Sequence, residues 1–171
     1  MTNSGDMTNL AVKAAPLTAA AFAPFGEVIE IAGKAPQRIN EGTCERYDDL
    51  AQVDVSAQEG RPLISIFKAA PRPVPFEVRT LERHPLSSQA FYPLDSTPFL
   101  VVVARDGNGP WATRLHAFRA AGDQGVSYRA NTWHHALLAI GQISRFLVID
   151  RGGPGDNCEE ITIDPGVLVD L

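Results

Sequence analysis

The sequence predicts an all-β fold, a jelly-roll β-barrel with one short N-terminal helix. Three observations carry this expectation. Fourteen Gly and 13 Pro in 171 residues disfavour long helices and favour short strands joined by turns. The apolar segments are rich in Val, Ile, Phe and Thr and recur at near-regular spacing, the pattern of a sandwich or barrel. A jelly roll also removes most exposed strand edges and leaves room for an internal cavity.

The elements follow in chain order. Residues 1–12 read as a polar lead-in with neither a basic segment nor an apolar core of the secretory kind, and residues 13–171 as one domain. Thr18 is the expected N-cap of a helical turn over Ala19 to Phe22, stopped by Pro24 and Gly26. Strands are expected at Glu27 to Ile31, Pro62 to Phe67, Phe76 to Leu81, Gln89 to Leu94 and Phe99 to Ala104. Five more follow at Arg114 to Phe118, Val126 to Arg129, Trp133 to Ile140, Ile143 to Asp150 and Glu159 to Ile163. Turn signals such as Arg105 to Pro110, Ala121 to Gly125 and Arg151 to Gly155 separate them. The segment Ala70 to Pro75 reads as an extended Pro-rich connection.

Composition excludes several function classes. Fifteen Lys and Arg against 20 Asp and Glu give a net charge of −5 with no basic block, so nucleic acid is not an expected partner. The longest wholly apolar run, Phe99 to Ala104, is far below the roughly 20 residues of a membrane-spanning helix, so no membrane association is expected. Two cysteines, Cys44 and Cys158, in no CxxC arrangement suit the reducing cytoplasm without a bridge. No GxSxG elbow, Walker A sequence or GxGxxG turn is present, which removes the usual supports of acyl-enzyme, phosphoryl-transfer and dinucleotide chemistry.

Four histidines remain: His84, His116, His134 and His135. Strand alternation puts His134 and His135 on opposite faces, so only one of them looks into a barrel. His116 reads as a structural histidine. Barrels of the cupin type carry a H-x-H-x(3,4)-E cluster and a later histidine, and Glu82-x-His84-x(4)-Gln89 followed by Trp133-His134 is a degraded copy. An amide is a weak ligand and three histidines are not supplied, so no tightly held metal is expected, at most a weakly held divalent ion. The bland alternative makes Glu82 a solvated partner of Arg79 or Arg83.

The segments Ile39 to Ala51, Leu81 to Pro93 (with Glu82-Arg-His-Pro85 and Gln89-Ala-Phe91), Gly125 to Ala136 (with Trp133-His-His135) and Phe146 to Gly153 (with Ile149-Asp-Arg-Gly-Gly153) together resemble the ureidoglycolate lyase family, also called ureidoglycolate hydrolase, of allantoin degradation. The likeness runs from Pro16 to Pro165. It implies a cupin-like barrel, a homodimer, and cleavage of ureidoglycolate to glyoxylate and urea. Lys68 stands where a basic residue, often Arg, is expected, Ala130-Asn131 is variable ground, and the chain before Leu10 is extra.

That chemistry needs no redox cofactor. It needs a base for the substrate hydroxyl, an acid for the leaving nitrogen and a cation for the carboxylate. Matching Trp133-His134 to the turn-then-His pattern points His134 inward, opposite His84; one is base and the other acid, in an order the sequence leaves open. Arg46 is the first choice for the substrate carboxylate and Lys68 the second. Gln89 is assigned to the ureido group, and Asp150 to orienting a histidine or pairing with an arginine. The bland rivals are an Arg46–Asp150 structural ion pair and a merely polar edge residue at Gln89. Two other functions stay open, a non-catalytic small-acid or sugar binding cupin and a metal-dependent amidohydrolase on the same substrate. Phe99 to Ala104 has no polar face and needs cover on both sides, a second ground for expecting a homodimer.

Overall fold

A computed structural model describes residues 11–171. One sheet orders its strands as Val12–Lys13, Glu159–Asp170, Phe76–Arg83, Trp133–His134, Phe99–Ala104, Leu115–Ala120 and Ala15–Pro16, with Leu138–Ala139 also paired to Phe99–Ala104. The other runs Gly26–Ile29, Gly125–Tyr128, Gln89–Pro93, Ser144–Gly152 and Arg61–Ala69. Together they make the nearly closed, cupin-like all-β barrel that the strand spacing predicts. A separate hairpin, Gln37–Ile39 with Cys44–Arg46, forms its own two-stranded sheet.

The single expected helix forms at Ala19–Phe22, where the Thr18 side chain accepts from the Ala21 amide at 3.2 Å. Its Phe22 is fully buried among Phe25, Phe118 and Tyr128. This turn joins the inner core of Phe91, Phe99, Val101, Val126, Phe146 and Val148. A second core of Leu81, Leu100, Val102, Leu138, Ile163 and Val169 covers the other face of Phe99–Ala104. That strand is therefore closed on both sides within one chain, and its apolar run gives no ground for a dimer.

Several expected bounds move. Residues 1–10 of the lead-in lie outside the described residues, whereas Val12–Lys13 pairs in parallel with Val169 and Asp170. Arg114 ends a second helical turn, Trp111–Arg114, instead of opening a strand. The last strand continues from Ile163 to Asp170 with a register shift between Thr162 and Val167. Trp133 to Ile140 is two short strands. His134 pairs with Val103 and Leu138 with Leu100, a register that leaves one extra residue between them, so simple alternation does not run through the segment. The two cysteines are free. No helix among the described residues is long and apolar enough to cross a membrane.

Candidate active site

The polar residues gather at one end of the barrel because three strands change character along the same inward face. Gln89 precedes Phe91, Tyr128 follows Val126, and Asp150 follows Phe146 and Val148, two residues apart each time. Across from them, Glu82 on Phe76–Arg83 is directly paired with His134, and His84 sits just beyond the strand end. A cavity of about 330 Å³ opens here, walled by His84, Ser87, Gln89, Asp150, Arg151 and Asn157 among others.

Both histidines are oriented by backbone carbonyls. His84 Nδ1–H donates to the Asn157 carbonyl at 2.6 Å, and His134 Nδ1–H donates to the Thr132 carbonyl at 2.8 Å. A carbonyl only accepts, so in each neutral ring the proton sits on Nδ1 and Nε2 carries the lone pair. His84 Nε2 is 3.2 Å from Gln89 Oε1, an acceptor, so this contact is a hydrogen bond only when Nε2 carries a proton as well. His134 Nε2 is buried with no hydrogen bond, 3.5 Å from Glu82 Oε1. The two rings lie 5.2 Å apart, and Tyr128 stacks on His134 at 4.2 Å.

The carboxyls are tuned in opposite directions. Glu82 is held below the usual carboxylate range, chiefly by His134 with smaller help from His84 and His135 and against its own burial. Asp150 is pushed up by burial, against the opposing influence of His84 and Gln89, and its Oδ1 is buried without a hydrogen bond. Burial, then the Glu82 charge, raises the Tyr128 phenol, which stays neutral. Glu82 is not the solvated residue of the bland alternative, since Arg79 pairs with Glu77 and Arg83 with Glu159.

The fold thus brings His84, His134, Gln89 and Asp150 together and adds Glu82 and Tyr128. Arg46 and Lys68 are elsewhere. Arg46 lies on the separate hairpin, exposed and paired with Asp48, so it forms no ion pair with Asp150. Lys68 is exposed on Arg61–Ala69, in register with Arg145. Four wall side chains were missed, Ser87, Arg151, Asn157 and Cys158. Arg151 stands in the Ile149-Asp-Arg-Gly-Gly153 motif, but Asn157 sits in the irregular segment before Glu159–Asp170, with no sequence signal of its own. His135 faces Phe76 at 5.0 Å, its charged form disfavoured by burial, and His116 packs on Phe25.

The ureidoglycolate lyase family model matches residues 9–170. This chain belongs to the ureidoglycolate lyase family. Curated relatives named ureidoglycolate lyase include those of Brucella melitensis biotype 2, 55% identical over 146 residues, and Burkholderia mallei strain NCTC 10229, 53% identical over 145 residues. A third, from Brucella anthropi, is 53% identical over 145 residues. Each match covers 85% of this chain and 85% of the relative, so the family assignment extends over the cavity as well as the barrel.

The same cluster fits a divalent cation. One ligand atom from each of Glu82, His84 and His134 lies within 4.8 Å of the others, and both histidines show the Nδ1–H to carbonyl arrangement that commonly supports a ligating Nε2. These two imidazoles and the carboxylate are the three stronger donors of the quartet expected from the sequence, grouped without its amide.

Proposed function

We propose that this member of the ureidoglycolate lyase family cleaves ureidoglycolate into glyoxylate and urea, at the cavity that His84 lines and His134 adjoins. The observation that carries the reading is the pair of carbonyl-anchored imidazoles 5.2 Å apart, His84 on the cavity wall and His134 buried beside it. The substrate carbon bears a hydroxyl, a carboxylate and the ureido nitrogen. Removing the hydroxyl proton forms the carbonyl as the carbon–nitrogen bond breaks, and the nitrogen takes up a proton as urea leaves. His134, whose Nε2 is sealed from solvent, has no hydrogen-bond partner and lies beside the Glu82 carboxylate, is assigned as the base, a role that requires bound substrate to reach this nitrogen and in which Glu82 would stabilise the imidazolium that results. His84 is placed as the acid, with Gln89 beside it to hydrogen-bond the ureido group. Asp150 on the same wall orients bound substrate as a hydrogen-bonding carboxyl.

Glu82, His84 and His134 are the residues that would hold a divalent cation, and such an ion when bound would supply Lewis-acid polarisation of substrate oxygens. One assay tests the reading and separates its rivals. Purified protein is given ureidoglycolate, and urea and ammonia are measured with and without EDTA. Urea as first product supports the lyase; ammonia first marks an amidohydrolase, and neither marks a binding protein. Urea release undiminished by EDTA keeps the histidines as acid and base. Release lost on chelation and restored by one cation makes them its ligands.

The homodimer rests on a different surface from the one expected. Arg61–Ala69 is one of the two edge strands of its sheet, and its Ile64 and Ile66 are 76% and 57% exposed on the outward face beside Ile149 and Leu147. A long apolar edge of this kind is normally covered. Two copies associating here would cover it, and Ile66→Glu is expected to turn a dimeric mass in light scattering into a monomeric one with the barrel still folded. The two free cysteines suit a cytoplasmic setting.

A further inference from the structure

A carboxylate-bearing substrate needs a cation, and the two expected from the sequence lie outside the cavity. Among the described residues that wall it, Arg151 alone carries a fixed positive charge. Alternation along Ser144–Gly152 puts Arg151 on the face opposite Asp150, yet it is only 8% exposed. The segment Ala57–Glu59 lies over it and captures its side chain. Nε donates to the Ala57 carbonyl at 3.1 Å, and Nη2 lies within reach of the carbonyls of Ala57, Gln58 and Pro154 at 2.7, 3.1 and 2.7 Å. Gly60 and Gly153 make this approach possible, since a Cβ on Gly60 would overlap Arg151 Nε and Gly153 has φ +139° beside Nη2.

One edge of the guanidinium is thus committed to the protein. The remaining nitrogen, Nη1, donates to no described group, and it is not among the buried unpartnered atoms that are sealed from solvent. We propose that Arg151 is the residue that binds the substrate carboxylate, through Nη1; this rests on the lyase reading above. The neutral wall groups, His84, Ser87, Gln89 and Asn157, hydrogen-bond but give an anion no charge partner, and Glu82 and Asp150 oppose it. A guanidinium stays protonated at any working pH, and one already clamped along its other edge loses little freedom when it takes up an anion. Arg46 and Lys68, long side chains in open solvent, have neither advantage.

The test compares the two proposed products as ligands of the whole protein. Glyoxylate carries the carboxylate and urea carries none. Calorimetric titration of Arg151→Lys is expected to show glyoxylate affinity lowered on the order of tenfold to a hundredfold, with urea affinity within about twofold of the parent, a difference that a merely structural clamp does not produce. Equal loss for both ligands, or no loss for glyoxylate, overturns the proposal. Should Arg151→Lys fail to fold, the parent protein decides: the Arg151 side-chain nitrogen resonances must move on adding glyoxylate and stay in place with urea, and any other pattern overturns it. If the parent releases no urea from ureidoglycolate, the lyase reading falls, while the glyoxylate-against-urea comparison still reports on Arg151.

Discussion

The two ends of the barrel interior are built from the same strands and do opposite things. At one end Phe99 and Phe146 meet edge to face at 5.1 Å, with Phe22 and Val126 fully buried around them. At the other stand Gln89, Tyr128 and Asp150, two residues from Phe91, Val126 and Val148 on their strands, facing Glu82 and His134. The apolar end leaves no polar group to satisfy and gains burial free energy from every ring. The polar end leaves His134 Nε2 and Asp150 Oδ1 buried without hydrogen bonds, a cost of about 1–3 kcal/mol each by the usual penalty for unsatisfied groups. Stability is concentrated at one end and chemistry at the other, so substitutions at the two ends should fail in different ways.

The sharpest break is expected at His134. His134→Ala should lower the rate of urea release on the order of 10² to 10⁴, the usual worth of a positioned proton-transfer group, with an unfolding midpoint near that of the parent. His135→Ala, one residue on and packed on Phe76, should leave the rate within about threefold, well inside that range. Inactivity of folded His135→Ala with an active His134→Ala would reverse the inward assignment.

At the apolar end the effect moves from rate to stability. Phe146→Ala should cost about 3–5 kcal/mol in denaturant unfolding, as large-to-small core changes do, while the folded fraction keeps its kcat. A loss of kcat at full folding would mean that the two ends are not separable.

Asp150→Asn is expected to move stability the other way. Burial raises the Asp150 carboxyl in the folded state, so the folded protein binds this proton more tightly than the unfolded chain and loses stability as pH rises from the ordinary carboxyl range through the raised value. The amide removes that loss, so Asp150→Asn should melt higher than the parent at neutral pH, and the advantage should vanish by about pH 3, below the unperturbed aspartate value. Glu82 has the reverse sign. Its lowered value, set mainly by His134, contributes stability above the ordinary glutamate range that is lost as pH falls through the folded value, so Glu82→Gln should narrow the gap between neutral and acid melting temperatures. Melting curves across pH for both variants test the pair of signs.

The smallest effect concerns the cation. With three ligand atoms already grouped, a divalent ion at about a hundred times its Kd stabilises by about 2.7 kcal/mol. Millimolar Mn²⁺ or Ni²⁺ should therefore raise the midpoint of chelated parent protein and leave His134→Ala unmoved. A rise that persists in His134→Ala would place the ion elsewhere.

Much of this was legible in the residues themselves. Short β-rich segments between Gly and Pro turns determined the barrel, Thr18 before Ala19–Phe22 the helical cap, and Glu82, His84, Gln89 and His134 a hairpin-plus-strand cluster of which His84 and Gln89 line the cavity, because strand periodicity and turn chemistry are local properties. Only the tertiary structure decided which charges share that cavity. Arg46 and Arg151 look alike as letters, but one lies on an exposed hairpin beside Asp48 and the other is captured by three carbonyls from segments distant in the chain or across a turn. The extra residue between the pairings of His134 and Leu138 likewise appears only when both are laid against Phe99–Ala104. Burial and partner choice depend on which segments close over a side chain, and contacts of that range carry no periodic signature in a single sequence.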